Sequence, residues 1–125
     1  MTGRLAGKRI LVVEDEFFIA SDLNRALGRE GAIVIGPVGQ LEKGMSLANS
    51  ERIDAAILDV NLDGKMSYPL ADRLTELAVP YLFVTGYDGW SMPKEYDRLP
   101  RIAKPFSMMS VVDTMVTLVT PEHSR

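Results

Sequence analysis

Four short apolar runs set what this chain can fold into: Ile10 to Val13, Ala32 to Ile35, Ala55 to Leu58 and Tyr81 to Val84. Each reads as a strand, and Ile10 to Val13, continuous and too brief for a helix, as one that is fully buried. Amphipathic stretches separate them. Ile19, Ala20, Leu23, Ala26 and Leu27 recur at helical spacing, with Gly31 placed to cap the C-terminus. Leu41 to Asn49 reads as a weaker helix loosened by Gly44, and Met66 to Leu77 as a helix with Pro69 in its first turn. Met108, Val111, Val112, Met115, Val116 and Val119 describe a last helix, and Arg101-Ile102-Ala103 a brief fifth strand. Gly36-Pro37 closes the second strand, and Asn61-Leu62-Asp63-Gly64 marks a turn after the third. The stretch from Thr85 to Pro100 carries Gly86, Gly89, Pro93 and Pro100, so a fourth helix there is expected to be short or mobile.

Strands alternating with helices predict a parallel sheet with helices on both faces, joined by right-handed crossovers. The 125 residues make one domain, and 46% hydrophobic content is enough to fill its core. A net charge of −3 argues against a nucleic-acid binder, which needs a basic face. The absence of cysteine removes disulfides, thiolate metal sites and cysteine catalysis. The one histidine, His123, stands near the end of the chain, so histidine-based acid–base chemistry and a Ser-His-Asp triad also fail. No run approaches the roughly 18 apolar residues of a membrane span, and Glu14-Asp15-Glu16 interrupts the first apolar run before it could serve as a signal peptide. A soluble, cytoplasmic protein is expected.

In such sheets ligands bind beyond the carboxyl ends of the strands. The residues there are Glu14 and Asp15, Asp59, Thr85 and Lys104. Each has an ordinary reading: Asp15 a helix N-cap, Asp59 and Thr85 turn residues, Lys104 a solvated lysine. Together they differ, because three carboxylates gathered at one edge repel unless a cation lies between them. An all-oxygen donor set suits a hard divalent ion, magnesium above others. A carboxylate also serves as a nucleophile toward phosphorus, with lysine and threonine available to phosphoryl oxygens. The chemistry this set supports is phosphoryl transfer onto Asp59.

The four segments Leu11-Val12-Val13-Glu14-Asp15-Glu16, Leu58 to Gly64, Phe83-Val84-Thr85-Gly86 and Ala103-Lys104-Pro105-Phe106 together resemble a bacterial response-regulator receiver domain over residues 8 to about 118. The resemblance implies a flavodoxin-like doubly wound five-stranded parallel sheet in the order 2-1-3-4-5. It implies Asp59 as phosphoacceptor, and Mg2+ held by Asp15, Asp59 and the backbone carbonyl of Asn61, with Glu14 acting mainly through water. Thr85 and Lys104 match the phosphoryl-contacting residues, and Lys104–Pro105 a peptide bond that is typically cis. Asn61 and Tyr87 flank the path of the hydrolytic water and are expected to tune phosphoryl lifetime. The family's helix after the first acidic cluster docks kinases, which makes Phe17 and Phe18 of interest. One of the two is expected in the core and the other at a partner.

One position departs from the family. An aromatic switch residue usually stands three before the lysine, where this chain has Arg101. Phe83-Val84-Thr85-Gly86-Tyr87 instead resembles the FAT GUY receivers, typically stand-alone proteins partnered by histidine kinases of the HWE type. That subgroup carries alanine where this chain has Val84. The expected function is a stand-alone receiver, with no output domain in the chain. It takes its phosphoryl group from a sensor histidine kinase or phosphotransfer protein and then signals by protein contact or drains phosphoryl groups from the kinase. Without the aromatic switch, phosphorylation is expected to draw Thr85 inward and order the segment 86–100. Three other readings compete. A flavodoxin-like cofactor binder lacks its Ser/Thr/Gly phosphate cradle here. An aspartate-nucleophile phosphatase would want an acid where Asn61 stands. A pseudo-receiver that binds partners without phosphorylation is kept open by Arg101. Met108 and Met109 are expected to pack in or beside the core, Trp90 to anchor a partner, and Asp63 and Asp88 to serve turns rather than a metal.

Overall fold

The structure is a computed structural model that describes residues 3–86, 93–96 and 99–120. Tyr87, Asp88, Trp90 and His123 lie outside the described residues. The elements run β1 (Arg9–Val13), α1 (Phe17–Arg29), β2 (Ile33–Val38), α2 (Leu41–Ser50), β3 (Ala55–Asp59), β4 (Asn61–Leu62), β5 (Lys65–Met66), α3 (Tyr68–Glu76), β6 (Tyr81–Thr85), β7 (Arg101–Ala103) and α4 (Met108–Val119). Five of these strands form one parallel sheet in the order β2-β1-β3-β6-β7. This is the expected 2-1-3-4-5 order, since β4 and β5 pair only with each other as a small antiparallel hairpin.

Every residue of β3 and β6 is buried, as their continuous apolar runs require. Alternate side chains feed two cores. Leu11, Val13, Ala56, Leu58, Tyr81 and Phe83 pack beneath α2 and α3. Ile10, Val12, Ala55, Ile57, Leu82 and Val84 pack beneath α1 and α4. The second core reaches back to Leu5, which is fully buried and whose N–H donates to the Glu30 carbonyl at 2.9 Å. Gly44 does more than loosen α2. A Cβ there would lie 3.0 Å from Leu70 Cδ2 and 3.1 Å from Val13 Cγ2, so its absence lets α2 sit close on β1.

Two boundaries and the placement of one aromatic pair differ from the sequence expectation. Strand β2 does not close at Gly36-Pro37 but continues to Val38, with a register irregularity between Leu11 and Val13 of β1. Proline is tolerated because β2 is an edge strand, and Gly36 takes a φ of +101° that suits its lack of a Cβ. Helix α3 begins at Tyr68 rather than Met66, because Lys65 and Met66 are drawn into the hairpin. The turn there has Asp63 and Gly64 at φ +53° and +93°, the two-residue Asp-Gly hairpin geometry. Neither Phe17 nor Phe18 enters the core: they are 75% and 79% exposed. The buried residues of α1 are Leu23 and Leu27, backed by Ile19 and Ala26, and positions 17 and 18 fall off that stripe.

In the stretch before β7 the described residues form a single 3-10 turn at Lys94–Tyr96. Tyr96 stacks on Tyr68 with ring centroids 4.4 Å apart, and its hydroxyl donates to Asp72 Oδ1 at 2.7 Å. Met108 packs partly against the α1/α4 core, whereas Met109 is exposed.

Candidate functional site

The carboxyl ends of β1 and β3 bring Glu14, Asp15 and Asp59 together, with a carboxylate oxygen of each within 4.8 Å of the others. Asp59 is the last residue of β3 and nearly buried. Its Oδ1 accepts from the Asn61 N–H at 3.1 Å and its Oδ2 from Lys104 Nζ at 2.9 Å. The Glu14 side chain is buried; its Oε2 accepts from the Glu16 N–H at 3.0 Å and from Lys104 Nζ at 3.1 Å. Glu14 Oε1 has no hydrogen-bond partner. Asp15 is exposed at the rim. It does not cap α1, whose N-cap position is Glu16.

Lys104 enters from the end of β7. Its backbone N–H donates to the Thr85 carbonyl at 2.6 Å, extending the β6–β7 pairing by one residue. The Lys104–Pro105 peptide is cis. Thr85 is buried, and its hydroxyl donates to the Gly86 carbonyl at 3.2 Å. Asn61 lies at the start of the hairpin, where its Oδ1 accepts from the Gly64 N–H at 2.7 Å. Arg101 stands at the edge of the sheet, paired in register with Phe83, and is exposed. Glu16, given no site role by the sequence alone, also joins the cluster: its Oε1 accepts from Lys104 Nζ at 2.8 Å, a pairing across 88 positions that spacing within the Glu-Asp-Glu run does not reveal.

The electrostatics follow from crowding. Burial, then the neighbouring Asp59 charge, pushes the Glu14 carboxyl up to about 7. Burial and Asp59 raise Asp15 as well. Burial would lower the Lys104 ammonium, but hydrogen bonds to Glu16 and Asp59 outweigh it and hold Lys104 above its usual value. The site is an acidic pocket compensated by one lysine.

The family model for the response regulator receiver domain matches residues 10–114. The chain belongs to the receiver-domain family. Receiver domains of this family are parts of response regulators in two-component systems that are phosphorylated on aspartate and act with histidine kinases or phosphotransfer proteins. The solution structure of SdrG from Sphingomonas melonis Fr1 superposes with a TM-score of 0.80 at 34% identity, over 91% of this chain and 98% of that one. A BeF3-activated conformation of SdrG superposes with a TM-score of 0.77, also at 34% identity, over 92% and 98% of the two chains. The sensory transduction protein LytT of Bacillus subtilis is 28% identical over 111 residues, which are 86% of this chain and 46% of LytT. PdtaR of Mycobacterium tuberculosis, a transcriptional regulatory protein, is 24% identical over 90% of this chain and 57% of its own length. The receiver thus spans about half the length of these two relatives. Sporulation initiation phosphotransferase F of Bacillus subtilis is 24% identical over 89% of this chain and 93% of its own length.

Receiver domains bind Mg2+ at an acidic pocket. The residues present here fit that ion: three carboxylates converge, and the buried Glu14 Oε1 is an acceptor still wanting a partner. No helix among the described residues is long and apolar enough to cross a membrane.

Proposed function

We propose that Asp59 of this receiver is the phosphoryl acceptor. The observation that carries the reading is the 2.9 Å bond from Lys104 Nζ to Asp59 Oδ2 within a cluster of three carboxylates at the strand ends. Asp15, Asp59 and the Asn61 carbonyl would hold Mg2+, with Glu14 acting mainly through water. The bound ion supplies charge neutralisation between the carboxylate and the phosphoryl oxygens. An Asp59 carboxylate oxygen attacks phosphorus, the phosphorus–nitrogen bond of the donor's phosphohistidine breaks, and a proton goes to the departing imidazole. Lys104 is within reach of the new phosphoryl oxygens and offsets their charge. Thr85 is the second contact: its hydroxyl need give up only the 3.2 Å bond to Gly86 to meet them.

The donor is a sensor histidine kinase, of the HWE type that the FAT GUY resemblance implies, or a phosphotransfer protein. Arg101 in place of the aromatic switch leaves Thr85 and Lys104, already joined through the backbone, as the route by which phosphorylation reaches the surface. Output is by protein contact, or by draining phosphoryl groups from the kinase. The likeness to sporulation initiation phosphotransferase F over 93% of that protein, and to the BeF3-activated SdrG, supports this reading.

The test is intact-protein mass after incubation with acetyl phosphate, with and without Mg2+, beside Asp59→Asn. One phosphoryl adduct that needs both Mg2+ and Asp59 is expected. No adduct from either acetyl phosphate or a phosphorylated kinase, with the fold intact, would move the assignment to a pseudo-receiver.

A further inference from the structure

Lys104 has three ammonium protons, and the structure accounts for all of them. They go to Glu14 Oε2 at 3.1 Å, Glu16 Oε1 at 2.8 Å and Asp59 Oδ2 at 2.9 Å. A phosphoryl group on Asp59 takes the charge off that carboxylate and puts three acceptor oxygens beside the ammonium. The proton that Asp59 Oδ2 accepted can pass to one of them, and any further bond to the phosphoryl group requires Lys104 to release Glu14 or Glu16. These two acceptors are not equally easy to release. The Glu14 side chain is fully buried, and its Oε2 would keep only the Glu16 N–H in a desolvated site. The Glu16 side chain is 59% exposed, and water can replace the lysine at little cost.

We infer that Glu16 is a positioning residue that competes with the phosphoryl group for Lys104 and so lowers the phosphoryl occupancy of Asp59. Glu16 touches neither Asp59 nor any ligand in this role; it acts by holding the ammonium at the rim between Glu14 and α1. Its negative charge near the entry to the site works in the same direction, repelling an incoming anion. The inference rests on the reading of Asp59 as acceptor, and it assigns a consequence to the third acid of Glu14-Asp15-Glu16.

The test uses the whole chain with Mg2+ and BeF3−, a phosphoryl mimic. Glu16→Gln is expected to lower the half-saturating BeF3− concentration about fivefold, the scale of a part-exposed ion pair, with thermal stability nearly unchanged. Side-chain NMR of Lys104 separates positioning from simple charge repulsion. Before BeF3− is added, its Cε and Nζ signals in Glu16→Gln should already lie part-way toward their BeF3−-bound positions. A half-saturation that is unchanged or higher would overturn the inference. So would a lower one with the Lys104 signals unmoved, since the effect would then bypass the lysine. Failure of the unmodified protein to bind BeF3− at all would instead strike the reading of Asp59 and remove the inference with it.

Discussion

The Lys104 ammonium donates to Asp59 Oδ2 at 2.9 Å across 45 positions of chain, while the Lys104 backbone N–H bonds the Thr85 carbonyl at 2.6 Å. One residue therefore ties the acidic pocket to the end of β6. The lysine is 16% exposed and Asp59 still less, so the pair is largely withdrawn from water. At that depth, breaking the pair costs far more than breaking a surface ion pair.

Replacing Lys104 with Met should therefore leave Glu14 and Asp59 facing each other uncompensated. Urea denaturation in chelator is expected to show a loss of about 3 kcal/mol. Added Mg2+ should restore more stability to this variant than to the unmodified protein, because the cation then meets an unopposed acidic cluster. Equal Mg2+ responses in the two proteins would contradict this account of the pocket.

Gly64→Ala isolates the contribution of the hairpin. No atom lies within 4 Å of the position a Cβ would take, so crowding is not at issue. The φ of +93° is the only obstacle, and it should cost about 1–2 kcal/mol. Because Gly64 N–H bonds Asn61 Oδ1, and Asn61 N–H bonds Asp59 Oδ1, a shifted turn should also weaken Mg2+ binding by isothermal titration. A loss of stability with unchanged Mg2+ affinity would show that the hairpin does not position the site.

The parallel sheet was legible because β1, β3 and β6 are built on runs of uninterrupted apolar residues, and parallel strands between helices have few alternative arrangements. Ile57, Leu58, Phe83 and Val84 are where such runs must lie, buried on both faces. The site was legible for a related reason: strand ends in this topology converge, so Glu14, Asp59 and Lys104 meet although they are far apart in sequence. What escaped is chemistry that depends on direction rather than position. The Glu16 side chain turns to Lys104 across 88 residues, and no local pattern records that turn. The hairpin carried an Asp-Gly signal, yet strands of two residues are too short to show a period. Phe17 and Phe18 suggest burial by composition, and only their phase against Leu23 and Leu27 places them outside.

Acid should expose a separate stabilising contact. Asp54 Oδ2 accepts from the Arg9 N–H at 2.8 Å, and this bond, assisted by Arg52, holds the carboxyl below its ordinary 3.8. A depressed carboxyl contributes stability above its unfolded value and loses it as pH falls through the folded one. Asp54→Asn should thus be less stable than the unmodified protein at pH 7, by about 1 kcal/mol. The gap should begin to narrow as pH falls past the ordinary 3.8 and close only below the folded value, which lies lower still. A gap that persists undiminished at low pH would remove charge as its cause.

Tyr96 offers a graded test of how the segment before β7 is held. Burial, together with the Asp72 carboxylate, pushes its phenol above the usual range, so it stays protonated and donating. Tyr96→Phe deletes only the 2.7 Å bond to the exposed Asp72 and should cost about 1 kcal/mol. Tyr96→Ala also removes the stack on Tyr68 and the edge contact with Phe83, and should cost about 3 kcal/mol or more. Similar losses for the two variants, measured by urea denaturation, would mean that the ring packing contributes little.

Phe17 and Phe18 should separate protein donors from small ones. Their rings meet edge-on with centroids 5.4 Å apart at the start of α1, immediately after Glu14, Asp15 and Glu16. Were they core residues, truncation would cost about 3–5 kcal/mol each. At 75% and 79% exposure, Phe17→Ser and Phe18→Ser should instead change stability by about 0.5 kcal/mol or less. An exposed aromatic pair beside an acceptor carboxylate has reason to exist where a donor protein must cover that carboxylate to reach it. Acetyl phosphate needs no such surface, so the double variant should take up phosphoryl groups from it at the unmodified rate. Transfer from a phosphorylated kinase or phosphotransfer protein should slow about tenfold or more, through weaker binding of the donor. Equal slowing with both donors would place the two rings in the chemistry of the pocket, and no slowing with either would leave α1 without a docking role.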